Sequence, residues 1–362
     1  MNKEEATSLQ QKVLDALRSV NDPDLGKDIV SLNFIKDLKV EDGIASFTVE
    51  LTTPACPMKK EMEQWAREAV LKVDGIREAR IRMSSAVKSG AAPEGKQTID
   101  GVKNIVAVGS GKGGVGKTSV TVNLAIALAQ KGAKVGLLDA DIYGPNVPLM
   151  MGIEGQPHAI GDRIQTLSNY DVRVMSMGFL TDQEDTPLIW RGPMLHSVIQ
   201  QFIRQVDWGE LDYLLIDLPP GTGDVQLSIT QTVPLMGAVI VSTPQDVALQ
   251  DARKAIMMFR QVHVEILGIV ENMSYFQCPK CGEQTHVFSH GGASITAEKF
   301  SVPFLGEVPL AVDLREGGDA GKPVVAENPD SPVASAFVQI AEKVAAQVSI
   351  ANQNAQSGPI IE

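Results

Sequence analysis

Two kinds of hydrophobic spacing divide the 362 residues of the chain. Near the start, Leu9, Val13, Ala16, Leu17 and Val20 recur at helical spacing from Ala6 to Val20, and Asn21-Asp22-Pro23-Asp24 stops the pattern. Phe34 to Leu38 and Ala45 to Leu51 read as two strands around a Glu41-Asp42-Gly43 turn. Met58 to Val73 follows as a helix and Ala79 to Met83 as a short strand. Residues 1–83 therefore predict a small α+β domain. Residues 84–100 carry no apolar period and many small residues, so they predict a flexible linker.

From residue 101 the pattern changes to short apolar runs alternating with helical ones. Asn104–Gly109, Lys134–Leu138, Val172–Met177, Tyr213–Ile216, Ala238–Ser242 and Ile266–Val270 read as buried strands. Helical spacing occupies 119–130, 193–206, 246–260 and 335–348. Such alternation implies an α/β fold, a mostly parallel, doubly wound sheet covered on both faces over residues 101–350. Sites in such sheets lie at the carboxyl ends of the strands. Residues 351–362 are polar and predict a disordered tail.

Composition narrows the chemistry. Hydrophobic residues make up 44% of the chain, ample for a core, and the net charge of −12 argues against a general binder of nucleic acid or anionic membrane. Three cysteines cannot build a disulfide scaffold and suit a reducing cytoplasm. No apolar run reaches the length of a membrane span, and the charged N-terminus lacks a signal core, so a cytoplasmic protein is expected.

The strongest motif is Gly111-Lys112-Gly113-Gly114-Val115-Gly116-Lys117-Thr118, followed by Ser119, between a predicted strand and helix. Glycines let amide groups approach a polyphosphate at a helix N-terminus, where the dipole favours anions. Lys117 would hold the β and γ phosphates of ATP, and the Thr118 hydroxyl would ligate Mg²⁺. Asp139, Asp141 and Asp217 follow apolar strands at the same edge. Asp217 stands where a carboxylate binds the metal through water, and Asp139 and Asp141 are within reach of the metal shell and the attacking water. Lys112 is a second lysine that an ordinary phosphate loop does not need.

Cys278-Pro279-Lys280-Cys281-Gly282 is a bidentate metal clamp that leaves an ion half coordinated. Two copies meeting at a twofold axis would supply four thiolates, enough for a [4Fe–4S] cluster. His286 and His290 offer a Cys₂His₂ zinc site in the same chain instead, and a redox or structural pair is a third reading. Cys56 reads equally as a thiolate at a helix N-terminus or as a small buried side chain. His158, His196 and His263 stand isolated, and Pro187 to Pro193, with Arg191, has no generic chemistry.

The phosphate loop resembles the deviant Walker A motif of a subgroup that includes nitrogenase iron protein, the arsenite pump ATPase and the cell-division positioning ATPases. Asp139 to Asn146, Asp217 to Asp224, Glu271-Asn272-Met273-Ser274 and Cys278 to Gly282 resemble the Mrp/ApbC iron–sulfur cluster carrier ATPases. Asp22-Pro23-Asp24, Asp28-Ile29-Val30 and Thr52 to Pro57 resemble the small domain that accompanies iron–sulfur assembly factors. The resemblance implies a homodimer in which Lys112 crosses to the partner's nucleotide. It further implies that Asp141 orients water with Asp139 nearby, that Asp217 and its loop sense the γ-phosphate, and that Asn272 contacts adenine. The cysteine pairs would bridge a [4Fe–4S] cluster destined for apo iron–sulfur proteins, with a scaffold protein as a further candidate partner. Two rivals follow from the subgroup. A positioning ATPase would need a cationic tethering helix, whereas Phe337–Val348 has Lys343 as its only basic residue. An ATP-coupled iron–sulfur reductase normally carries its cluster cysteines far apart in sequence.

Overall fold

The structure, a computed structural model, describes residues 3–90, 98–141, 144–180, 192–278 and 280–357. Ile142, Tyr143, Pro187 to Arg191, Pro279 and the end of the tail lie outside the described residues. The chain divides into two compact units, one up to Lys88 and one from Ser89.

In the first unit, helices α1 (Lys3–Leu17) and α2 (Lys59–Leu71) accompany strands β1 (Ile35–Glu41), β2 (Ile44–Leu51) and β3 (Glu78–Ser85). β1 and β2 pair antiparallel, and β2 and β3 pair parallel. The hairpin closes at Asp42 and Gly43, which both take positive φ (48° and 76°), the turn whose twist matches paired strands. Along β2 the alternation is strict, with Ala45, Phe47, Val49 and Leu51 turned into the core against Val13, Leu17, Met62 and Val70. β3 continues to Ser85, two residues into the segment expected to be a linker.

The second unit is built on a sheet whose parallel strands are β4 (Val102–Gly109), β5 (Val135–Asp139), β6 (Val172–Ser176), β7 (Leu211–Asp217), β8 (Gly237–Ser242), β9 (Ile266–Gln277) and β10 (Phe304–Leu310). Their order is β6-β5-β7-β4-β8-β9, with β10 beside β9. Every residue of β5, β7 and β8 is buried, as a sheet covered on both faces requires. The helices of eight or more residues are α3 (Lys117–Gln130), α4 (Gly192–Gln205), α5 (Asp224–Thr232), α6 (Asp246–Gln261), α7 (Gly292–Phe300), α8 (Val312–Asp319) and α9 (Pro332–Ser357).

Four sequence expectations need correction. β9 runs seven residues past Val270, to Gln277, because polar positions follow its apolar start, and β10 was hidden by Pro303 and Pro309. The tail does not become irregular at residue 351: α9 continues to Ser357, and Asn352 is buried with its Nδ2 donating to Asn104 Oδ1 at 3.0 Å. One helix is also long and apolar enough to cross a membrane by composition, Pro332–Ala355. Yet 56% of its most apolar window is buried, because it packs against α3 and β10 as a core helix. Phe337, in its second turn, has no exposed surface. Phe337→Ala is expected to lower the stability of the second unit by about 3–5 kcal/mol, read as a shift in the urea midpoint.

Candidate functional site

The carboxyl edge of the sheet gathers the phosphate loop between β4 and α3, the ends of β5 and β7, and the bulged middle of β9. Gly114 and Gly116 both take φ +78°, and Gly116 caps α3 in the left-handed region that a β-carbon strains. A β-carbon at Gly116 would also collide with the Asn272 amide, so only glycine lets the loop close there.

Lys117 is almost wholly buried and turned inward. Its Nζ lies 2.7 Å from Asp217 Oδ2 and 3.8 Å from Asp141 Oδ2, and donates to Thr118 Oγ1 at 3.4 Å. Asp217 has no exposure at all. It accepts from Thr118 Oγ1 at 2.8 Å through Oδ2 and from Thr121 Oγ1 at 2.7 Å through Oδ1. Hydroxyl and carboxylate thus stand side by side, the oxygen donor set that suits Mg²⁺. Thr121 escaped the sequence reading, although it lies one turn beyond Thr118 on the same face of α3.

Asp139 and Asp217 are register partners on adjacent parallel strands, so their carboxyls meet at one level of the edge. Asp139 accepts from Ser176 Oγ at 2.8 Å and from the amides of Asp141 (3.1 Å) and Val147 (3.3 Å). Burial, and after it the negative charge of Asp217, push the Asp139 carboxyl up to about 8. Asp139 therefore holds a proton at neutral pH, beside the ion pair of Lys117 with Asp217. Ser176 was not singled out in the sequence, because a serine ending a strand carries no signal until β6 pairs with β5.

The cleft beside this group has a volume of about 490 Å³. Lys112 to Ser119 and Asp141 form its polar end, while Leu149, Met273, Pro309, Leu310 and Leu314 form an apolar end that suits a base, edged by Arg315. Gly111 itself packs so tightly on the Asp251 backbone that a β-carbon would clash. Asn272 donates from Nδ2 to the Val115 carbonyl at 2.8 Å, which ties β9 to the phosphate loop. Its buried Oδ1 has no hydrogen-bond partner among the described residues, and Asn272 itself lines the cleft. The phosphate loop, the Thr118–Asp217 oxygen pair and the apolar lining together suit a nucleotide. The Pro309 to Arg315 wall gave no sequence signal, since its proline-broken run matches no motif.

Cys278 and Cys281 are reduced, half-buried and exposed respectively, on a turn closed by Gly282 N donating to Cys278 O at 2.9 Å with Gly282 at φ +76°. Backbone amides of Cys281 and Lys280, and then the Cys281 thiol, hold the Cys278 thiol below its ordinary range, which favours thiolate. His290 does not join them: its Nε2 lies 3.1 Å from Glu307 Oε1. Among the described residues, the ligand-bearing side chains that converge are Glu271, His290 and Glu307, so the Cys₂His₂ zinc arrangement does not form within one chain. In the first unit, Asp22 and Asp28 accept backbone amides in turns, and Cys56 packs against the hydrophobic core.

Residues 101–345 match the family described as NUBPL iron-transfer P-loop NTPase. The chain belongs to that family. Residues 10–83 match the iron–sulfur cluster assembly protein family. An iron–sulfur cluster carrier protein of Synechocystis sp. is 48% identical over 345 residues, 94% of this chain and 98% of its own. The iron–sulfur cluster transfer protein NUBPL of Mus musculus is 50% identical over 270 residues, 74% of this chain and 84% of its own. Among solved structures, a nucleotide-binding protein of Archaeoglobus fulgidus in complex with ADP is 42% identical at a TM-score of 0.57. That match covers 64% of this chain and 90% of the other. The septum site-determining protein MinD of Pyrococcus horikoshii, complexed with Mg-ADP, is 25% identical at a TM-score of 0.51, covering 66% and 94%. Membership of this P-loop NTPase family agrees with the phosphate cradle and the parallel sheet.

The buried carboxyl pair sets a pH dependence. The folded chain keeps the Asp139 proton up to about pH 8, whereas the unfolded chain releases it in the ordinary carboxylate range, so this group makes stability fall as pH rises through that window. Denaturant unfolding of nucleotide-free protein between pH 5 and 8 should show that loss, on the order of 1 kcal/mol per pH unit at most. Asp139→Asn should flatten it, and equal slopes in the two proteins would contradict the proton on Asp139.

Proposed function

We propose that this chain is a slow ATPase that carries an iron–sulfur cluster. Two copies hold one [4Fe–4S] cluster through Cys278 and Cys281 of each chain and pass it to apo-proteins. The observation that carries the reading is the continuity of β9. Asn272 bonds the phosphate loop, Met273 at φ +56° turns into the nucleotide cleft, and Cys278 follows directly on the end of the same strand. A change at the nucleotide therefore has a short covalent path to the thiolates. Family membership and the names of the relatives support cluster transfer as the output.

The residues divide the work as follows. An incoming polyphosphate offers Lys117 new anionic partners, which draws its ammonium from Asp217 toward the β and γ phosphates. Asp217 is then left beside Thr118 as a metal-binding pair. Mg²⁺ held there would neutralise charge on the phosphates. Asp141, at the cleft and 3.8 Å from the lysine, is the group we assign to orienting the attacking water. Lys112, lining the mouth of the same cleft, is the group we assign to the partner's nucleotide, which makes hydrolysis depend on the dimer. The exposed cysteine turn leaves its thiolates accessible to a second copy and to an acceptor. α9 packs in the core, with no basic residue in its last turn, which does not favour a membrane-tethered positioning role. Reduced cysteines suit the cytoplasm.

Anaerobic reconstitution with iron and sulfide should give about four irons per two chains, with absorption near roughly 400 nm. Cys281→Ala should lose the cluster, the dimer it bridges and transfer to an apo acceptor. Wild-type protein that stays colourless would end this reading. Lys112→Ala should keep nucleotide affinity while its turnover falls by roughly 10³-fold, as for other charge-neutralising groups supplied in trans. Unchanged turnover would remove Lys112 from the mechanism.

A further inference from the structure

Glu271 is wholly buried in the middle of β9, just before its bulge, and among the described residues no lysine or arginine pairs with it. Its Oε1 accepts from Ser274 Oγ at 2.7 Å and from Gly291 N at 3.0 Å, and its Oε2 accepts from Ala293 N at 2.7 Å. A carboxylate offers about four lone-pair sites, so Oε2 retains one. Glu307 is the register partner of Glu271 on β10, which brings a second carboxylate to the same level of the sheet edge. His290 reaches in from the returning limb of the cysteine turn, its Nε2 lying 3.1 and 3.2 Å from the two Glu307 oxygens. The ligand atoms of all three residues lie within 4.8 Å of one another.

Two carboxylates this close, one of them shut off from water, repel each other unless a proton or a cation is shared at the site, and a metal ion held by both and by the imidazole is one such arrangement. We propose that Glu271, His290 and Glu307 bind one divalent transition-metal ion, separately from the nucleotide cleft and from the cysteine pair. One imidazole and two carboxylates form a nitrogen–oxygen donor set. That set suits Zn²⁺, Fe²⁺, Co²⁺ or Mn²⁺ better than Ca²⁺ and Mg²⁺, which take oxygen alone, or Cu⁺, which takes sulfur. The amides and the hydroxyl on Glu271 fix that carboxylate in place, as outer partners do at metal centres. Glu307 and His290 are partly exposed, so an ion has a route in. Bound there, the ion ties the limb carrying His290 to β9 and β10, and so braces the turn that carries Cys278 and Cys281.

The test uses the full chain with Cys278→Ser and Cys281→Ser, which removes thiolate ligation, with Mg²⁺ and ADP present to fill the nucleotide cleft. Co²⁺ is titrated and followed by calorimetry and visible absorption. One Co²⁺ per chain is expected, with weak ligand-field bands and no thiolate charge-transfer band. His290→Ala and Glu307→Gln in that background should each weaken binding at least roughly tenfold. Thermal unfolding without metal, the same as for the parent, would show that these variants fold. Absence of Co²⁺ binding overturns the site. So does binding that survives both substitutions, or binding that His286→Ala abolishes while Glu307→Gln spares it. The last result would assign the ion to the stacked histidine pair, whose rings lie 4.2 Å apart.

Discussion

A carboxylate without solvent, Asp217, sits at the end of the strand between β4 and β5, and its charge has to be balanced inside the fold. Lys117 supplies the balance at 2.7 Å, and two threonine hydroxyls of α3 donate to the two carboxylate oxygens. Asp139, forced alongside by the strand register, gives up its charge by keeping a proton. The result is a site already assembled around an internal cation. In the function proposed above, exchange of that lysine between a carboxylate and a phosphate would couple nucleotide arrival to the β7 edge, which continues into the Pro219 to Gly223 loop.

A second constraint runs along β9. The strand is apolar and buried at its start, then bulges between Asn272 and Phe276, where its register with β10 shifts. The bulge sends Asn272 to the phosphate loop and Met273 into the cleft, while Glu271 anchors the N-terminus of α7 through Gly291 and Ala293. One strand therefore lines the cleft, carries part of the carboxylate cluster and leads into the cysteine turn in fewer than ten residues. That economy makes a linked response of the three sites mechanically reasonable, since a strand in a packed sheet moves as a unit.

The first unit shows a different use of motif residues. Asp22 and Asp28 serve their turns by accepting amides two and three residues on, and Thr53 Oγ1 accepts from Ala55 N at 3.2 Å. Residues that resemble a functional signature there are engaged in local structure. Burial, with the charge of Asp22 as a lesser cause, raises the carboxyl of Asp24.

By itself the sequence determined the alternation of strands and helices, the phosphate loop, the aspartates that end two strands and the cysteine clamp. These depend on local periodicity and fixed spacing, and the chain carries both in one dimension. Only the tertiary structure decided that Asp139 and Asp217 would share one register level, that Thr121 and Ser176 would be their partners, and that Pro309 to Arg315 would wall the cleft. It likewise sent His290 to Glu307 rather than to the cysteines, and turned the apolar C-terminal helix into a core element. Each of those outcomes is set by which strands lie side by side and which faces are buried, and residues distant in sequence do not announce such pairings.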